Sequence, residues 1–217
     1  MDYAAARYKM IQNQIRTNRV TDAAVIAAMG ELPREQFLPE YLRGLAYADD
    51  DIPLGGGRFL IEPLATALLV QAAEIDADDV TLDVGCGLGY TSAIMARLAG
   101  AVVALEGDPG LATRATQALN AVGATTASVT VGPLPQGHPS QAPYDVIVFS
   151  GAVASVPKAL CEQLAEGGRM VAVIEGEKGI GRGTLFLRRG GSISRRPLFD
   201  AAIPLLPGFA PEPTFRF

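Results

Sequence analysis

The chain is poor in the residues from which most metal, redox and acid–base sites are built. It has two cysteines and one histidine in 217 residues. Cys86 and Cys161 are too few for a disulfide framework or a metal cluster. His138 stands in a Pro/Gly/Ser loop with no cysteine or acid beside it, the setting of a surface residue rather than a catalytic base. Positive charge is also scarce. Eighteen Lys and Arg against 23 Asp and Glu leave a net charge of −5, so no basic patch is available to neutralise phosphates, and a nucleic-acid partner is excluded. No apolar run approaches the length of a bilayer span. The N-terminal Met1-Asp-Tyr-Ala-Ala-Ala-Arg lacks the apolar centre of a signal peptide. A cytoplasmic protein without a membrane partner is expected. The acidic run Asp49-Asp-Asp51 has no further ligands at a regular spacing and reads as a solvated loop, with no metal expected.

What is present is an ordinary globular composition, 49% apolar and 19% charged, long enough for one domain with a full core. The chain is organised around Val80-Thr-Leu-Asp-Val-Gly-Cys-Gly-Leu-Gly-Tyr-Thr-Ser92. A short β-branched run ends in the alternating glycines Gly85, Gly87 and Gly89, and a helical spacing of apolar residues (Ile94, Met95, Leu98) follows. Strand, glycine turn and helix open a nucleotide-binding α/β unit, in which glycines let the backbone turn tightly and approach a ligand closely. The spacing is G-x-G-x-G, with Tyr90 and Thr91 where a dinucleotide fingerprint needs its last glycine. That favours a nucleoside ligand without a pyrophosphate, of which S-adenosylmethionine is the commonest, and argues against a nicotinamide dehydrogenase.

Seventeen residues past Gly89, the run Ala101-Val-Val-Ala-Leu-Glu106 reads as a buried strand ending in an acid, the place of a ribose-binding carboxylate. Further strands are expected at 127–131, 144–149 and 169–174, with a hairpin at 183–188 and 192–195. Helices are expected over much of 1–45 and at 64–73, 111–119 and 156–164, and from Pro204 an extended arm. Strands alternating with helices predict a doubly wound, mostly parallel sheet of the Rossmann-like methyltransferase kind. The single domain comprises N-terminal helices and a loop (1–75), a cofactor-binding core (76–190) and C-terminal strands with the arm (191–217). The segment Ile52-Pro-Leu-Gly-Gly-Gly-Arg-Phe-Leu-Ile-Glu-Pro63 is expected to be a loop lining a ligand.

Taken together the chain resembles the protein-L-isoaspartate O-methyltransferases. The resemblance runs from about Met10 to Gly208 and is carried by Met10-Ile-Gln-Asn-Gln-Ile-Arg, Leu32-Pro-Arg-Glu-Gln-Phe-Leu-Pro-Glu40, Ala46-Tyr-Ala-Asp49, Ile52-Pro-Leu-Gly55, the Asp83 to Tyr90 motif and Pro204-Leu-Leu-Pro207. It implies transfer of a methyl group from S-adenosyl-L-methionine to the carboxylate of isoaspartyl residues in damaged proteins, a repair reaction. It implies cofactor contacts from Asp83, Gly85, Cys86, Gly87, Gly89, Tyr90, Glu106, Gly107, Gly132, Pro133 and Leu134. Substrate contacts are implied from Leu54, Gly55, Phe59, Leu60, Glu62 and Ser150. Such a carboxylate is already ionised at neutral pH, so the task is orientation and desolvation and no general base is needed.

The departures are specific. The family's substrate loop reads Gly-Gln-Thr-Ile-Ser-Gln/Ala-Pro, and here Gly57-Arg-Phe-Leu-Ile-Glu-Pro63. Its active-site hydroxyl falls on Ile61, which has no polar atom, and Arg58 and Phe59 replace the glutamine and threonine. The family's Gly-Asp-Gly, whose Asp faces the adenine amino group, reads Gly132-Pro-Leu134. Losing one such hydrogen bond costs about 0.5–1.5 kcal/mol, about tenfold in affinity. Two readings therefore stand side by side: a working repair methyltransferase, and a divergent member that binds cofactor with another acceptor or serves as a non-catalytic scaffold. Cys86 reads as small filler by the turn, and Asp83 as a cap beneath it.

Overall fold

The computed structural model describes residues 1–176 and 179–210; the end of the expected C-terminal arm, 211–217, lies outside the described residues. The N-terminal layer is helical. Helix α1 (Tyr3–Met10) runs directly into a π-helical turn (Ile11–Ile15), and α2 (Ala23–Glu31) starts where the Asp22 carboxylate accepts the amides of Ala24 and Val25. That cap satisfies two amides that lack an intrahelical partner. Two 3₁₀ turns, Arg34–Phe37 and Glu40–Leu45, complete the stretch 1–45 over much of which helices are expected.

The glycine-rich segment expected to be a loop is instead an antiparallel hairpin. Strands β1 (Ile52–Gly55) and β2 (Arg58–Leu60) pair only with each other. Gly55, Gly56 and Gly57 all have positive φ, which is what lets so tight a connection close. Helix α3 (Pro63–Ala72) follows with proline in its first turn.

The sheet then begins with β3 (Val80–Val84), α4 (Tyr90–Met95), β4 (Ala101–Glu106), α5 (Pro109–Ala121) and β5 (Ala127–Val131). It continues with β6 (Tyr144–Val153), α6 (Lys158–Glu162), β7 (Leu164–Ile174), β8 (Gly181–Arg189) and β9 (Ser192–Ala201). The order is β5-β4-β3-β6-β7-β8-β9, parallel from β5 to β7 and antiparallel beyond. The helix expected at 156–164 is shorter, because Leu164 to Gly168 joins β7 and Leu164 pairs with Tyr144.

Both faces of the central strands β3, β4 and β6 are buried, which is why β4 and most of β6 read as continuous apolar runs, while the edge strands β5 and β9 are largely exposed or half-buried. Val102, Val146, Val148, Val171 and Val173 face a core shared with α2, α3 and α4. The alternate residues Val103, Leu105, Ile147, Phe149 and Met170 face a second core with Leu160, Leu206 and Phe209. Strand order reverses on either side of β3, since β4 and β5 lie to one side and β6 to the other. The crevice at the carboxyl ends of β3 and β6 is where an open α/β sheet binds ligands.

Candidate functional site

Three strand ends converge there. β3 delivers Asp83 and the turn Gly85-Cys-Gly-Leu-Gly89, β4 delivers Glu106 and β6 delivers Ser150. The turn is held from within: the amides of Gly85 and Cys86 donate to the Leu105 carbonyl at 2.8 and 3.0 Å, and Gly89 donates to Cys86 at 2.8 Å. Gly85, Gly87 and Gly89 all have positive φ, which explains the spacing of the motif in conformational terms. Helix α4 starts at Tyr90 and has only six residues.

Asp83 sits beneath this turn, fully buried, and accepts the hydroxyls of Ser92 and Ser150, each at 2.6 Å. Burial pushes its carboxyl up to about 6, with the two hydroxyls and the Arg58 charge opposing the shift. Ser150, expected at the substrate, has its hydroxyl turned inward to Asp83. Cys86 is buried, and burial, followed by the neighbouring Asp83 and Glu106 charges, raises its thiol well above the ordinary range, the state of an inert side chain. The Tyr90 ring, expected at the cofactor, lies in the helical core instead, edge-on to Phe37 at 5.3 Å and under the Arg34 guanidinium at 4.6 Å.

Glu106 ends β4 with 1% of its surface exposed. Backbone amides of Gly87 (2.7 Å), Gly107 (2.8 Å) and Asp108 (3.2 Å) converge on its carboxylate. A fourth partner comes from the hairpin. Arg58 Nη2 lies 2.9 Å from Oε2, and Nε is 3.3 Å from both carboxylate oxygens. The same Nη2 donates to the Gly85 carbonyl at 2.5 Å. Arg58 is itself 4% exposed. Nothing in the local sequence signals this pair, because its members are 48 residues apart.

The C-terminal arm closes the crevice further. It runs beside β6, where Ala152 donates to Pro204 and receives from Leu206 at 2.9 and 2.8 Å. A Cβ added to Gly85 would lie 2.7 Å from Leu206 and 3.1 Å from Arg58 Nη2, and one on Gly87 would lie 3.6 Å from Leu54. The cradle created by the missing side chains is thus filled by the chain itself. Beside it a cavity of about 450 Å³ remains, with Arg58, Glu106, Gly107, Pro133, Leu134 and Pro207 in its walls. Gly132 leads into this wall, its amide donating to the Glu106 carbonyl at 3.0 Å.

At the expected substrate position Ile61 is a core residue, 3% exposed, and its carbonyl accepts Arg34 Nη2 at 2.6 Å. Leu60 is buried with it, while Leu54 and Phe59 are half-buried. Gly55, exposed, ends β1. Glu62 stands at the N-cap position of α3 without a side-chain cap bond, its backbone amide donating to Asp51 at 2.8 Å. Burial, and then the charge of Asp51, raises the Glu62 carboxyl. The residues that sequence reasoning did not place here are Arg34, Ser92 and Leu206, along with the ion-pairing role of Arg58.

The donor set suits a nucleoside: a glycine turn over a strand end, and a carboxylate at the end of the next strand. The space does not. In this conformation the residues present do not accommodate S-adenosylmethionine against Glu106, because Arg58 and Leu206 stand in the cradle.

Residues 5–196 match the family model described as protein-L-isoaspartate(D-aspartate) O-methyltransferase. A protein-L-isoaspartate O-methyltransferase of Methanoculleus marisnigri is 37% identical over 204 residues, 94% of this chain and 92% of that protein. One of Roseiflexus is 37% identical over 212 residues, 97% and 96% of the two chains. A solved protein-L-isoaspartate O-methyltransferase superposes with TM-score 0.80 at 25% identity, over 93% of this chain and 66% of that one. A putative one from Plasmodium falciparum, in complex with S-adenosyl-L-homocysteine, shares the fold with TM-score 0.79 at 18% identity. By its sequence along nearly its whole length and by its sheet, this chain belongs to the protein-L-isoaspartate(D-aspartate) O-methyltransferase family.

Proposed function

We propose that the chain is an S-adenosylmethionine-dependent carboxyl O-methyltransferase whose acceptors are isoaspartyl residues of damaged proteins. The observation that carries this reading is Glu106, buried at the end of β4 beside an intact glycine turn and held by three backbone amides, in a chain of this family. The cofactor supplies the methyl group when bound. The chain's own part would be to offer Glu106 to ribose hydroxyls, a place that Arg58 holds in this conformation. It needs no proton acceptor for an acceptor carboxylate that is already ionised. A cytoplasmic setting fits the two unpaired cysteines, Cys86 and Cys161, and no helix among the described residues is long and apolar enough to cross a membrane.

The test is methyl transfer from labelled S-adenosylmethionine to an isoaspartyl peptide, read as base-labile methyl ester, with the matching aspartyl peptide as control. Esterification of the isoaspartyl peptide alone is expected. No ester with the protein in stoichiometric amount would sink the reading. A second reading, a non-catalytic family member, is favoured by two observations: the Arg58–Glu106 pair in the cradle and the core position of Ile61. It predicts the blank result.

A further inference from the structure

We infer that Arg58 is an intramolecular plug of the cofactor cradle, and that the tip of the β1–β2 hairpin must lift before a nucleoside can engage Glu106. The inference rests on the methyltransferase reading and deepens it.

The acceptor capacity of Glu106 makes the case. A carboxylate offers about four lone-pair sites. Gly87, Gly107 and Asp108 use three of them through backbone amides that are part of the turn and of the β4 exit. The Arg58 fork covers what is left on both oxygens. A ribose hydroxyl therefore finds no free acceptor until Arg58 leaves. The same guanidinium nitrogen holds the Gly85 carbonyl, so it closes the glycine turn and the acid together.

The hairpin is built so that its tip can move while its base stays. The base is pinned on both sides: Asp51 accepts the Glu62 amide at 2.8 Å, and buried Arg34 holds the carbonyls of Ala46 and Ile61 at 2.7 and 2.6 Å. Between these anchors β1 and β2 pair only with each other, and a lone two-stranded ribbon is marginally stable by itself. Gly55, Gly56 and Gly57 at the tip are exposed. The cavity of about 450 Å³ that Arg58 borders is walled by Glu106, Gly107 and Leu134, residues expected at the cofactor, so Arg58 must lift away from it with the hairpin tip rather than into it. Removing Arg58 does not strand Glu106, since three backbone donors remain.

If Arg58 holds the cradle shut, the apparent dissociation constant is the intrinsic one divided by the open fraction. The experiment is calorimetric titration of the full chain and of Arg58→Gln with S-adenosylhomocysteine. It is paired with hydrogen exchange of residues 52–60 in the unsubstituted chain with and without that ligand. The expected result is binding about tenfold or more tighter in Arg58→Gln, and faster exchange across 52–60 when the unsubstituted chain is loaded. Equal affinity with unchanged or slower exchange would overturn the plug and leave the cofactor reading standing. No binding by either protein would overturn the plug, since the cradle would then stay closed without Arg58, at Leu206 of the arm. Should Arg58→Gln not fold, the exchange measurement alone decides.

Discussion

Asp83 makes the residue-scale point that a side chain at a strand end under a ligand site can be wholly occupied with supporting it. Its two oxygens are taken by Ser92 and Ser150, so its charge braces β3 against α4 and β6. That bracing has a pH signature. Its carboxyl is near 6 in the fold and near 3.8 unfolded. Between those values the folded chain binds more protons than the unfolded one, so stability falls as pH rises through the window and levels off above it. Asp83→Asn lacks this titration. Urea midpoints from pH 4 to 7 are expected to show the unsubstituted chain losing up to about 3 kcal/mol relative to Asp83→Asn. A parallel pH dependence in the two proteins would disprove the assignment. Glu106 shows the same at the next strand: an acid at the end of β4 was legible in the sequence, but its partner was not. Arg58 is a local sequence oddity whose consequence depends entirely on where β2 folds.

At the scale of elements, β4 and β5 match the expected ranges, β4 because its burial leaves an unbroken apolar run, whereas β6 runs four residues longer and β7 starts five residues earlier than expected. The β1–β2 ribbon was not expected. Its alternation is short, its glycines suit a loop as well as a turn, and a hairpin with no neighbouring strand has little to betray it. The ribbon leads into Ile61, which sits in the helical core rather than facing an open site. Restoring a hydroxyl there would therefore be costly. Ile61→Ser is expected to lose about 2–4 kcal/mol through the cavity and the buried hydroxyl, measured as a shift in urea midpoint, and not to raise methyl transfer to an isoaspartyl peptide. Higher turnover without loss of stability would show that the residue faces substrate.

At the scale of the whole molecule, the N-terminal layer is tied to the sheet by Arg169 on β7. Its guanidinium donates to the carbonyls of Ala73 and Glu74 at 2.9 and 2.8 Å and pairs with Asp79, bracing the passage from α3 to β3. Arg169→Ala would take the side-chain donor from the Ala73 carbonyl and leave the part-buried Asp79 carboxylate with the Asp76 amide alone. A loss of about 2–3 kcal/mol is expected from chemical denaturation, with S-adenosylhomocysteine affinity unchanged. An altered affinity would place this tie within the mechanism that opens the cradle.

By itself the sequence determined the class of fold, the glycine turn and the acid at the end of β4, since strand and helix periods and glycine spacing are local signals carried by neighbouring residues. Only the tertiary structure decided what fills the site. Arg58 meets Glu106 across 48 residues and Ser150 meets Asp83 across 67, while Leu206 reaches Gly85 from the far end of the chain. These contacts depend on where the hairpin and the arm come to rest on the sheet. That is settled by packing and burial summed over the whole molecule, and no short stretch of chain encodes it.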